Sequence, residues 1–364
     1  MAISKIGPTG LLNPQVGKNL VDNGGMKISQ RGTITGQGGV TNTYTAIDRW
    51  KIREEGPGAA RFTTSQDTLS EANSGLARGC RTALKVDCTT AEAGVAAGEF
   101  VGICHSLEAQ NLQMLEYENA GAKSMVLSFT VSSPKSGTHC VALLQSDDNR
   151  HYIAEFTVTS ADTFEHFSMV IPGDPDGSID NDTGEGMRIT FPLTAGTNFH
   201  GTAGSWQGGE EYATSNQQNL MDNTANNFLL SAVQLEVGTL VSDFEHEHKS
   251  VTLAKCQRYY QQWNITTAFG YIAVGLNAGS TTTRATLPTR QTMRAAPTLS
   301  VSAVGDFQTQ DATGSADTSN VTLYSSYPEV VTIEATVATQ PISNAAMFGA
   351  DNSTVRFLAL SAEM

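Results

Sequence analysis

Charge is scarce in this chain. Only 16% of its 364 residues are Asp, Glu, Lys or Arg, and their imbalance gives a formal net charge of -14. A surface of that sign repels phosphate backbones, which argues against nucleic acid as a partner. Long apolar runs are missing too. No stretch is long enough to cross a bilayer as a helix, and Pro8 and Pro14 interrupt the opening "MAISKIGPTGLLNPQVGKN" where a signal peptide would need its apolar core, so neither a membrane nor a leader is expected. Cysteine is limited to Cys80, Cys88, Cys104, Cys140 and Cys256, an odd number without a C-x-x-C pair. That leaves no zinc knuckle and no dithiol motif, and reads as free buried thiols in a protein made in a reducing cytoplasm. Nucleophile elbows, Walker loops and His-Glu-x-x-His are absent, and the chain is read as a non-enzyme without a cofactor.

What is present is glycine, 34 residues of it, with recurrent Thr, Ser and Asn. Short alternating runs fill the chain from Thr45 to about Val241. In "SMVLSFTVSS", Met125, Leu127, Phe129 and Val131 share one face. "HCVALLQSDDNRHYIAEFTV" reads as a hairpin turning at Asp147, Asp148 and Asn149, and "FEHFSMVI", "MRITFPL" and "FLLSAVQLEV" continue the pattern. About eight such strands predict an all-β jelly-roll sandwich. The expected organisation is an N-terminal extended arm over 1–40, the jelly roll over 41–245, a linker and helix over 246–270, and a smaller C-terminal β-sandwich over 271–364.

Four features are candidates for chemistry or contact. Glu245-His246-Glu247-His248 carries two imidazoles at strand spacing, which suits zinc, but it lies between a strand and a helix and is read as a joint. "GDPDGSIDNDTGEG" offers Asp174, Asp176, Asp180 and Asp182 as ligands for a structural calcium ion. The EF-hand register fails there, and an acidic turn explains the run as well. Trp206 and Tyr212 fall in the glycine-rich "AGSWQGGEEYA", where an aromatic on a loop could stack on a sugar ring or pack on a neighbouring strand. Finally, Leu253, Cys256, Tyr260 and Trp263 recur at helical spacing. One helical face cannot bury Tyr259, Tyr260 and Trp263 together, so at least one is expected to contact another domain or subunit.

Several segments, in order, resemble bacteriophage virion surface proteins. They are "NLVDNGGMKISQRGT", "YTAIDRW", "SLEAQNLQML", "LSFTVSS", "VIPGD", "DNDTGEGMRITFPLTAGT" and "SAVQLEVGTLVSDFE", then "LAKCQRYYQQW", "MRAAPTLSV" and "LALSAEM". The resemblance covers most of the chain and implies a jelly roll similar to carbohydrate-binding sandwiches. It implies a virion component, such as a tail fibre, adhesin or capsid decoration. Such a protein would be anchored to other virion proteins by its N-terminal arm, would assemble as a homotrimer, and could grip host surface glycan. A polysaccharide depolymerase is the remaining alternative, although no repeat of a long β-helix is visible. Where that family often has an aromatic two residues after its Ser-Phe pair, this sequence has Val131.

Overall fold

The computed structural model describes residues 18–39, 42–352 and 356–364. These form two compact units, one of residues 18–27 and 32–248, the other of residues 28–31 and 249–364.

The first unit is a two-sheet sandwich. In chain order its elements are β1 (Ile34–Gln37), β2 (Thr43–Tyr44), β3 (Trp50–Glu55), β4 (Arg61–Thr68), α1 (Glu71–Leu76), β5 (Thr82–Thr90) and β6 (Phe100–Glu108). They continue with β7 (Met125–Ser132), β8 (Gly137–Gln145), β9 (Arg150–Val158), β10 (Phe164–Ile171), β11 (Glu185–Ala195), β12 (Trp206–Gly208) and β13 (Asn227–Val237). One sheet runs β1-β4-β5-β13-β7-β10 and the other β12-β9-β8-β11-β6-β3-β2. Alternation on β7 points Met125, Leu127, Phe129 and Val131 into the core between them. There the Phe129 ring meets Phe156 and Phe191 of the opposite sheet at 5.0 Å each. Val131 is thus a core residue. The hairpin from β8 to β9 turns where expected, with Asn149 at φ 50°, a left-handed conformation that Asn tolerates.

Of the expected arm over 1–40, residues 18–27 and 32–39 belong to this sandwich and residues 28–31 to the second unit; residues 1–17 and 40 lie outside the described residues. Val21 and Met26 are buried in the sandwich core. Leu20 N–H donates to the Leu235 carbonyl at 2.9 Å, and Asn19 Nδ2 to that of Val233 at 3.1 Å. Gly24 permits this, because a Cβ there would sit 2.0 Å from the Val233 oxygen.

The second unit comprises α2 (Lys249–Gln257), β14 (Tyr260–Ile265), β15 (Tyr271–Gly279), β16 (Thr282–Pro288), β17 (Thr298–Val301) and β18 (Phe307–Asp311). β19 (Gly314–Ser326), β20 (Val330–Val337), β21 (Ala345–Ala350) and β22 (Arg356–Ser361) follow. It is a closed barrel, β15-β16-β20-β19-β18-β21, beside a three-stranded sheet β14-β22-β17, rather than the expected sandwich. The helix also stops earlier than its apolar spacing suggests. After Gln257 the chain turns into β14, which pairs with β22 from Tyr260↔Ser361 to Ile265↔Arg356.

Candidate functional site

β12 is a three-residue edge strand that places Trp206 opposite Tyr152 of β9. The indole lies 5.5 Å from the Tyr152 ring and 6.1 Å, edge on, from Tyr117. Its Nε1–H donates to the Pro172 carbonyl at 2.8 Å, which fixes the ring's rotation. The two tyrosines are nearly buried, and Trp206 remains half-buried at the sheet edge. Burial, then the negative charge of Asp174, raises the Tyr117 hydroxyl above its ordinary pKa; burial alone raises that of Tyr152. Both rings therefore stay neutral.

The Pro172 bond ties Trp206 to the acidic turn. Asp174 is buried there, and Arg150 at the start of β9 grips it through Nε at 2.7 Å and a terminal nitrogen at 2.9 Å. Gln145 Nε2 adds a bond at 2.8 Å to the same carboxylate. Asp176 extends into solvent 3.9 Å from Arg150. Gly177 packs so closely that a Cβ would lie 2.0 Å from Gln145 Oε1 and 2.7 Å from Asp174 Oδ2. Two features that are unrelated in sequence, the loop tryptophan and the Asp-rich turn, thus form one locus of aromatic faces beside a fixed guanidinium–carboxylate pair.

Not every expected residue joins it. Asp180 and Asp182 belong to other local bonds, with Asp180 N–H donating to Asp147 at 3.0 Å and Asp182 accepting from Gly184 N–H at 2.8 Å. The four aspartates do not converge, and among the described residues no group of three or more His, Cys, Asp or Glu is placed to hold a metal ion. Within the turn, Arg150 holds Asp174.

Tyr212 is fully buried, and no sugar could reach its face. It packs against Phe100 at 4.7 Å, accepts from Arg188 at 2.9 Å and donates to Glu210. This lies over the outward face of β11, beside a charged cluster that the sequence reading missed. There Glu185 accepts from the Ser106 hydroxyl and, at 2.7 Å, from that of Ser146; Arg188 stands at 3.2 Å and Lys51 at 3.6 Å. Burial would raise the Glu185 carboxyl, but Arg188 and Lys51, then the two hydroxyls, outweigh it and hold the pKa at about 2. The spacing of Glu185 and Arg188, both on β11, was the one local signal for this cluster.

The Glu245–His248 segment is bound along the first unit. Glu245 accepts from Asn19 N–H at 2.9 Å, His246 Nε2 meets the Arg78 carbonyl at 2.8 Å, and Lys27 donates to the Glu247 carbonyl at 3.0 Å. Tyr259 and Tyr260 are buried, and Trp263 half-buried, on or beside β14. The Arg31 guanidinium covers the Tyr260 ring at 3.5 Å, and that of Arg290 covers Trp263 at 4.6 Å. Arg31, Arg290, Tyr260 and Trp263 all belong to the second unit, and Tyr260 and Trp263 lie on a strand where the sequence suggested a helix.

No protein-family model matches the chain, and no curated protein matches it. Among solved structures, the enzymatically active domain of tailspike protein 4 from bacteriophage CBA120 is similar over 61% of this chain, with 11% identity and a TM-score of 0.32. That match spans 22% of the tailspike domain's own length. CBM4 is similar over 60% of this chain and 99% of its own, with 12% identity and a TM-score of 0.30. The C-terminal family 22 carbohydrate binding module of Clostridium thermocellum Xyn10B is similar over 53% and 89%, with 16% identity and a TM-score of 0.29.

Proposed function

We propose that this chain is a non-enzymatic bacteriophage virion surface protein whose first unit binds host surface glycan at the Trp206 edge. The observation that carries the binding reading is the orientation of Trp206. Its ring is locked by the bond to Pro172, backed by Tyr117 and Tyr152, and left half-buried beside the Arg150–Asp174 pair. Sugar rings present C–H faces that stack on aromatic rings, and hydroxyls that fixed planar side chains such as carboxylates and guanidiniums can orient. Exposed Asp176 and the guanidinium of Arg150 supply that polar element. The charge of -14 favours a neutral or basic glycan over one rich in uronic acid or phosphate. The virion context rests on the motif order described above, with the N-terminal residues as the anchor to other virion proteins.

A glycan array probed with the full chain and with Trp206→Ala tests the binding. The full chain should retain neutral envelope glycans of the host, and the variant should lose at least tenfold in affinity while keeping its melting temperature. Equal retention by both would remove Trp206 from the site. Mass spectrometry of purified particles should find the chain among the virion proteins, and its absence there would overturn the virion context.

A further inference from the structure

The barrel of the second unit obeys strand alternation on most sides. On β16, Ala285 and Leu287 point inward while Arg284 and Thr286 point out; on β20, Val331, Ile333 and Ala335 point inward while Thr332 and Glu334 point out. β15 inverts the pattern from Ala273 on. Its inward residues there are Ala273, Gly275 and Asn277, and its outward apolar ones are Val274 and Leu276, while Ile272 packs against the core. Val274 is 66% exposed and Leu276 49%. Across the ladder, Val274 stands opposite Met347 of β21, which is 38% exposed, and Leu276 stands opposite Ala345. The larger apolar side chains thus lie in water and the smaller ones face the core, the reverse of what a free-standing barrel requires.

We infer that this outer face of β15 and β21 is a contact surface between copies of this chain. Charge distribution selects that occupant. The second unit holds eight Lys and Arg against seven Asp and Glu, net +1, so the rest of the chain carries -15. Copies approaching through the first unit repel one another, whereas the near-neutral second unit meets no such barrier. Within it, residues 259–283 and 335–350 contain no Asp, Glu, Lys or Arg at all, and β15 and β21 fall inside those two runs. Charge depletion around exposed aliphatic side chains is the composition of an interface core. Because the barrel is closed, it offers no open strand edge there, and the contact is made by side chains.

Sedimentation of the full chain at micromolar concentration tests this. The mass should be a multiple of 38.6 kDa, and Val274→Lys with Leu276→Lys should return it to 38.6 kDa with an unchanged circular dichroism spectrum. Val274→Thr with Leu276→Thr keeps the β-branched or strand-compatible outline and covers the case in which the lysines prevent folding; its dissociation constant should rise at least tenfold. A full chain that is monomeric at micromolar concentration overturns the inference and leaves the face to a different partner. So does a folded variant that assembles as tightly as the unsubstituted chain.

Discussion

At the scale of single residues, electrostatics and aromatic geometry do separate jobs. Glu185 is a structural anion. Its pKa of about 2 lies below the ordinary carboxylate value because Arg188, Lys51 and two hydroxyls outweigh the cost of burial. A carboxyl depressed on folding contributes stability that is present above its unfolded pKa and is lost as pH falls through the folded value. Glu185→Gln should therefore cost about 3 kcal/mol at pH 7, from a shift of roughly two pH units at 1.36 kcal/mol each. That difference should shrink between about pH 4.5 and pH 2, as followed by denaturant unfolding across that range; a cost that does not change with pH would contradict the assignment. Trp206 is the opposite case, a residue whose proposed role lies outside the fold. The sequence showed that it was an aromatic among glycines. It could not show the Pro172 bond, which joins positions 34 residues apart, nor the burial of Tyr212 only six residues downstream.

Elements were legible where apolar and polar side chains alternate along the chain. β7 announces itself by this period of two although both of its faces are buried, and on β10 the same period is also one of exposure. β14 was misread because Leu253, Cys256, Tyr260 and Trp263 happen to fit a period near 3.6. Tyr and Trp favour strands, and pairing with β22 decided the matter. The tie between β13 and the Asn19–Met26 segment was hidden for a different reason: its partners are more than 200 residues apart. Glycine sets a limit on β15. A Cβ at Gly275 would lie 1.8 Å from the Arg284 carbonyl oxygen on β16. Gly275→Ala should force the two strands apart and lower the melting temperature of the second unit by several degrees, whereas Gly305→Ala, where nothing lies within 4 Å, should leave it unchanged. Calorimetry on both variants separates a steric cause from a general intolerance of substitution.

At the scale of the whole molecule, the chain order is interleaved, since Ile28–Arg31 belongs to the second unit although it lies early in the sequence. Arg31 pairs with Glu363 and covers Tyr260, and Gln30 Nε2 donates to the Tyr260 carbonyl at 2.8 Å. Arg31→Ala removes this cation from Glu363, whose side chain is 2% exposed, and should lower the melting temperature of the second unit. A fragment starting at Lys249 should likewise melt below the second unit of the full chain, and equal melting would show that the four residues contribute nothing. The central claim, glycan on Trp206, is read most directly by intrinsic fluorescence, because only three tryptophans are present and Trp50 is fully buried while Trp263 lies under Arg290. Titration with purified host envelope polysaccharide should give a saturable emission change in the full chain and in Trp263→Phe, and none in Trp206→Phe. A titration without any saturable change, or one that survives Trp206→Phe intact, would contradict the account.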